Sequence, residues 1–371
     1  MKKLKIDMDY VTEKLMRLLE IPSPTGYTDA AVRFVGEALE ELGIEVEISR
    51  RGAIRAYLKG ESGFQARSVL THLDTIGVMV CRLKDNGRLA IVPIGTWSSR
   101  FAEGARVTVI TDAESFRGTI LPLKASGHVY NEEVDTQKTS WEDIEIRLDE
   151  RVSSKKDLEA LGINVGDFVA VDPEPRIDNG FVNSRNLDDK AGVAAVLGAA
   201  KAVQDADIRL QDGCLLLFTI SEEVGSGAST ILHGNIAELV AIDNATPAPG
   251  QNSSEFGITM GMMDSTGPFD FHLTHSLLDL ARDHKIPHRR DVFRYYRCDA
   301  ASAVEAGNDI RTALVGFGLD ASHGYERCHL DSIRSLGELI SLYIQSPMVV
   351  KRDRAKLSSI KGFPTQPVTE F

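Results

Sequence analysis

The stretch Cys214-Leu215-Leu216-Leu217-Phe218-Thr219-Ile220-Ser221-Glu222-Glu223-Val224-Gly225 decides the fold. Its apolar run is too short for a buried helix and stops on two acids and a glycine turn, which reads as a strand covered on both faces. The same arrangement recurs along the chain. Ser68-Val69-Leu70-Thr71 runs into His72-Leu73-Asp74, and Leu239-Val240-Ala241-Ile242 runs into Asp243-Asn244. Thr312-Ala313-Leu314-Val315-Gly316-Phe317 leads towards His323 in Ala321-Ser322-His323-Gly324-Tyr325-Glu326. Leu187-Asp188-Asp189-Lys190 opens a helix whose body is 191–203. Strands alternating with helices predict an α/β fold, a mostly parallel central sheet with helices on both faces. In such sheets the carboxyl ends of the strands deliver side chains to a common crevice.

Outward from these strands, Val11, Leu15, Leu18 and Leu19 fall on one helical face before the Pro22-Ser23-Pro24-Thr25-Gly26 turn, and a second helix starts near Thr28 and stops at Gly43. Ile44, Val46 and Ile48 then alternate with Glu45 and Glu47 as a half-buried strand. From 77 to 175 helical periodicity nearly vanishes, and short alternating segments are divided by turns such as Asp85-Asn86-Gly87. This predicts a small β-barrel-like domain inserted at 77–175 between two parts of a catalytic domain, 1–76 and 176–350. A polar tail, 351–371, is expected to be loosely held.

With 371 residues, 43% of them hydrophobic, the chain can build more than one core. A formal net charge of -12 excludes binding to nucleic acid through phosphate neutralisation. The four cysteines, Cys81, Cys214, Cys298 and Cys328, form no CxxC pair, which is the usage of a reducing compartment. No apolar run follows the charged start of the chain and none is long enough to cross a bilayer, so a cytoplasmic protein that does not act at membranes is expected.

Hydrolysis at a pair of cations needs ligands for each, a carboxylate between them and a separate base. Asp188 is the candidate bridge, with His72 and Asp243 completing one site and Glu223 and His323 the other. Imidazole and carboxylate donors without thiolate suit zinc first, with cobalt or manganese as alternatives. Glu222, beside a ligand but turned the other way, is the candidate general base. Asp74, two residues beyond His72, is placed to orient its imidazole through the second nitrogen.

Each residue alone has a plainer reading: a structural histidine, a solvated Glu-Glu pair, or an Asp-Asp helix cap. Their joint placement after apolar strands is what favours the metal reading. His128, His233, His272, His275, His284, His288 and His329 are read as structural or surface residues. Val224-Gly225-Ser226-Gly227 lacks the Lys-Ser/Thr of a phosphate loop, and no Gly-x-Ser-x-Gly elbow supports serine hydrolysis.

The ordered set of His72 with Asp74-Thr75-Ile76-Gly77, Leu187-Asp188-Asp189-Lys190-Ala191-Gly192, Glu222-Glu223-Val224-Gly225, Asp243 with Thr246-Pro247, Cys298-Asp299-Ala300 and His323 resembles the tetrahedral (TET) or glutamyl aminopeptidase family of dinuclear metallopeptidases. The resemblance covers nearly the whole chain. It implies the ligand roles above, an inserted domain that mediates dimerisation, and dimers that assemble into a hollow dodecamer. It also implies recognition of a free α-amine. Asp299 is read as a cap of the helix it opens, or else as part of the amine pocket.

Thr75 stands where that family commonly has Glu, Lys190 where it has Arg, Tyr296-Arg297-Cys298 in place of a Gly-Gly-Thr run, and Asp320-Ala321-Ser322 in place of an Arg-Tyr-containing approach to His323. No proposed ligand is lost, so the departures bear on specificity. The sequence is further similar to a branch linked with bacterial N-acetylglutaminylglutamine amide osmoprotectant systems, which implies a modified small dipeptide. The expected activity is removal of N-terminal residues from short peptides. The alternatives are a metal-dependent deacylase or amidase and a non-catalytic assembly protein.

Overall fold

The computed structural model describes residues 1–63, 67–232 and 236–367. His233 and the end of the tail therefore lie outside the described residues. Four parallel strands form the centre of a large sheet, in the order Cys214–Thr219, Arg67–His72, Glu238–Ala245 and Arg311–Asp320. Thr219 pairs with His72 and Asp243 with Gly316, so the residues that follow each strand emerge along one edge. Antiparallel pairs extend the sheet on either side, through Ile54–Leu58 and Glu45–Ile48 at one end and Glu326–His329, Phe181–Ser184 and Arg176–Asp178 at the other. Ile48, expected inside, is 53% exposed because its strand is the sheet's outermost.

The helix Leu187–Asp205 is buried almost all round and packs on Met8–Leu19, Leu330–Gln345 and the sheet. Its alanines and glycines make that approach possible. A Cβ on Gly198 would lie 2.4 Å from Val11 Cγ2, so only glycine lets the two helices close. A helix apolar on every side has no solvent face to define a stripe, as expected for one at the centre of a core.

The chain leaves the sheet just after His72 and builds a closed six-stranded barrel, ordered Gly77–Leu83, Leu89–Ile94, Ile144–Leu148, Ser115–Pro122, Arg106–Ile110 and Phe168–Val171. Val80, Ile91, Val107, Ile120 and Ile146 fill it as a core separate from that of the sheet. Closure removes the unpaired edges that so many short strands would otherwise expose. Among the described residues no helix is long and apolar enough to cross a membrane. The tail is anchored at its start, where Asp353 pairs with Arg311 and Arg354 with Asp212.

At the amino end of the central strands Arg67 is fully buried. Its guanidinium is 3.2 Å from Glu238, donates to the carbonyls of Tyr343 and Ser346, and lies 4.0 Å from the Tyr343 ring centre. A buried charge whose partner is removed is far costlier than the intact pair is stabilising. Arg67→Met is therefore expected to lower stability by about 3–5 kcal/mol, and Arg67→Met with Glu238→Gln to recover part of it. Urea midpoints of the single and double variants check this; equal losses would show that Glu238 is not the stranded partner.

Candidate metal centre

His72, Asp74, Glu222, Glu223, Asp243 and His323 come from the carboxyl edge of the parallel strands, and Asp188 from the first turn of the helix Leu187–Asp205. His72 ends one strand and is 2% exposed. Its Nδ1 lies 2.8 Å from the backbone carbonyl of Asp74 and 3.7 Å from the Asp74 carboxylate. The carbonyl thus fixes the ring, where the side chain was expected to do so, and Nε2 is turned to the cluster. The Asp74 carboxylate is engaged elsewhere. Its Oδ1 accepts from the Glu222 amide at 3.1 Å, and its Oδ2 from Thr25 Oγ1 at 2.6 Å and the Glu223 amide at 3.3 Å. It shapes the turn that carries the two glutamates.

Asp188 and Asp189 are joined by a cis peptide bond and have non-helical backbone angles within the first turn of their helix. Asp188 Oδ1 is 3.4 Å from His72 Nε2, and Oδ2 is 3.5 Å from His323 Nε2. Asp189 points away, accepting from Thr71 Oγ1 and the His72 amide, and so anchors the end of that strand. Gly192 leaves it room, since a Cβ there would meet Asp189 Oδ1 at 2.2 Å.

Asp243 and Glu223 complete the two groups. One donor atom each from His72, Asp188 and Asp243 lie within 4.8 Å of one another, and the same holds for Asp188, Glu223 and His323. Glu223 Oε2 is 3.2 Å from His323 Nε2. His323 sits on the loop after Arg311–Asp320 with a φ of 65°, and its Nδ1 lies 3.0 Å from the carbonyl of Thr96 in the inserted barrel. Glu222 belongs to neither group, although its Oε2 is 3.9 Å from His72 Nε2.

The electrostatics are those of a site with excess negative charge. Burial pushes Asp243 up to about 8, helped by the neighbouring Asp188 carboxylate, and burial raises Glu222 well above the ordinary range. Burial works against a charged His323, but Glu223 and Asp188 outweigh it and push the imidazole up to about 12. Burial likewise opposes charge on Asp188, yet its two imidazole partners hold the carboxyl below the usual range. The buried oxygens Asp188 Oδ1 and Glu223 Oε1 have no hydrogen-bond partner among the described residues. Orphaned buried acceptors beside two outward-facing imidazole nitrogens fit bound divalent cations, which would satisfy the oxygens and offset the charge.

Asn244 and Glu326 carried no expected role, and Tyr296 only a bearing on specificity. Asn244 Nδ2 donates to Asp188 Oδ2 at 2.8 Å and to Asp243 Oδ1 at 3.1 Å, tying one group to the shared carboxylate. Glu326 accepts from the His323 amide at 2.8 Å and the Asp188 amide at 3.2 Å. Tyr296 lines the cavity of about 1000 Å³ that also contains Asp188, Glu222, Glu223, Asp243 and His323. Asn244 and Glu326 adjoin strands that carry or follow ligands, which was the available signal. Asp299 needs correction: its carboxylate accepts from Thr219 Oγ1 at 2.7 Å, the Ala228 amide at 2.9 Å and Ser302 Oγ at 2.8 Å. It does not cap its helix, whose N-cap is Cys298, and both of its oxygens are engaged within the protein.

An α/β sheet with imidazole and carboxylate donors at its strand ends defines a metal-dependent hydrolase. The M42 glutamyl aminopeptidase family model matches residues 52–339, and the chain belongs to that family of metal-dependent peptidases. YhfE of Bacillus subtilis, a protein named as an aminopeptidase, is 38% identical over 339 residues, 91% of this chain and 98% of that protein. The fold is shared with an aminopeptidase from the archaeon Desulfurococcus kamchatkensis, with a TM-score of 0.83 at 23% identity over 95% of this chain and 99% of that one. It is shared also with the Pyrococcus horikoshii TET1 peptidase, with a TM-score of 0.80 at 23% identity over 90% and 99% of the two chains.

The consequence of the Asp74 contacts is measurable. Asp74→Ala keeps the backbone carbonyl on His72 but releases the Glu222–Glu223 turn, so turnover is expected to fall roughly 10–100-fold, the usual effect of losing an outer partner of a metal site. Steady-state rates with metal analysis check it; unchanged turnover would show that the turn holds without the carboxylate.

Proposed function

We propose that this chain removes N-terminal residues from short peptides at two divalent cations held by His72, Asp188 and Asp243 and by Asp188, Glu223 and His323. The observation that carries the reading is the geometry of Asp188, one oxygen towards each imidazole. Family membership supports the reaction class. The donor set, nitrogen and carboxylate without sulfur, suits zinc, then cobalt or manganese.

Bound at these residues, the cations would polarise the scissile carbonyl and acidify the attacking water. Asp188 sets the spacing of the two donor groups. The carbonyls of Asp74 and Thr96 hold the imidazoles by Nδ1, leaving both Nε2 atoms for the cavity. Glu222 shares the cavity but is not needed by either donor group, so its carboxylate is free to take the proton of the attacking water and pass it to the leaving amine. The barrel supplies Thr96 to the site and is read as the element through which chains pair. The Pyrococcus horikoshii TET1 peptidase, described as assembling into a tetrahedron or an octahedral shell, supports a homo-oligomer. A monomer mass in light scattering would contradict that. Four free cysteines are in keeping with a cytoplasmic setting.

Glu222→Gln keeps the shape and removes the base. Turnover is expected to fall roughly 10²–10⁴-fold with metal content unchanged, and loss of metal would exchange the roles of Glu222 and Glu223.

The end of the peptide attacked is decided by comparing a dipeptide amide carrying a free amine with its acetylated form. The free form is expected to be cleaved faster. Faster cleavage of the acetylated form would replace the aminopeptidase reading with a deacylase on a modified dipeptide.

A further inference from the structure

The segment 293–298 joins the strand His288–Val292 to the helix Asp299–Glu305 and forms one wall of the candidate cavity. Tyr296 is fixed there by its ring, 5.3 Å from that of Phe293, and by its carbonyl, which accepts from the Ser265 amide at 2.9 Å. Its hydroxyl is buried and makes no well-formed hydrogen bond among the described residues. The charges around it are the carboxylates of Asp243, Asp188 and Glu222, which add to burial in holding the phenol well above its ordinary value, so it remains a donor. A weak hydrogen bond from the phenol to the Asp243 carboxyl slightly offsets the effect of burial on that group, but its geometry is too poor to satisfy the hydroxyl. Asp243 does not depend on Tyr296, because Asp243 Oδ1 already accepts from the Asn244 amide at 2.6 Å and from Asn244 Nδ2 at 3.1 Å.

A buried donor without an acceptor is rare, because it has lost its hydrogen bonds to water and gained none in return. Here the donor lines the same cavity as the candidate base, and the reaction itself creates an acceptor. When water adds to a peptide carbonyl, the new carbon–oxygen bond forms at carbon, the π pair moves onto the carbonyl oxygen, and that oxygen becomes anionic. We propose that the Tyr296 hydroxyl is a further catalytic group, donating a hydrogen bond to the carbonyl oxygen of the scissile peptide as it becomes tetrahedral. Glu222 receives the water proton while Tyr296 keeps its own. On collapse the pair returns to form the carbonyl, the carbon–nitrogen bond breaks, and the amine leaves with the proton from Glu222. A fixed donor beside developing charge stabilises the transition state more than the ground state.

This rests on the peptide-hydrolysis reading above, and the test separates the two. Tyr296→Phe removes one oxygen whose protein contact is a weak one with Asp243, so folding is not at stake. With the dipeptide that the wild type cleaves fastest, kcat is expected to fall roughly 10²–10³-fold while KM changes little, as for loss of a donor to a developing oxyanion. Affinity for the phosphinic isostere of that dipeptide should fall in proportion, with affinity for the released amino acid and metal content both unchanged. Equal kcat in variant and wild type would overturn the role of Tyr296 alone. A fall in kcat that tracks loss of metal would overturn it too, making the residue a support for Asp243. A wild type that releases no N-terminal residue would overturn both readings.

Discussion

The structure depends on keeping one carboxylate, Asp188, between two imidazoles while three further carboxylates stand close by. Like charges buried together repel and are poorly solvated, so such a cluster persists only if the scaffold over-determines each side chain. That is what the parallel strands do. Their ends present His72 and Asp243 directly and Glu222, Glu223 and His323 just beyond, while backbone carbonyls hold the two imidazoles and the Asn244 side chain holds Asp188 and Asp243. The fold therefore places the crowding where a divalent cation would relieve it, and the free energy that the crowding costs would return as affinity for the cation.

The same constraint ties the barrel to the chemistry. The strand that ends in His72 runs almost directly into the barrel, whose Thr96 carbonyl then fixes His323 from across the cavity. An inserted domain whose core is separate from that of the sheet would ordinarily be free to serve contacts alone. Here it also holds one of the two imidazoles, so the orientation of the site and the seating of the barrel are not independent.

What was legible in the sequence follows from where the information lies. Apolar runs such as Leu215 to Phe218 and Val240 to Ile242 announce buried strands because both faces are covered, and a strand that stops on a charged residue announces a site. The barrel was legible from strict alternation and turn residues. Asp74 shows the limit: period two predicts the side on which it stands, but which of its atoms meets His72 depends on how the chain turns after the strand. Asp299 was misread because a residue that opens a helix resembles a cap until its partners Thr219 and Ala228 are seen, and these lie some 70 to 80 residues away. Asn244 and Glu326 also matter through a distant partner, Asp188, which lies 56 and 138 residues away.

The departures of this chain from the family pattern then gain a physical meaning. The donor groups are built by strand ends and their carbonyl partners, which leave little freedom, whereas the segment 293–298 is a connection between elements and can change without moving a ligand. Replacing small residues there with Tyr296 and Arg297 adds a phenol to the inner wall and a guanidinium at the mouth, the latter held by Glu305. A chain whose candidate donor groups are fixed by its sheet can alter what its cavity accepts only through such walls. Specificity in this chain is thus expected to reside in segments that the strand pattern does not describe, while the reaction class resides in those that it does.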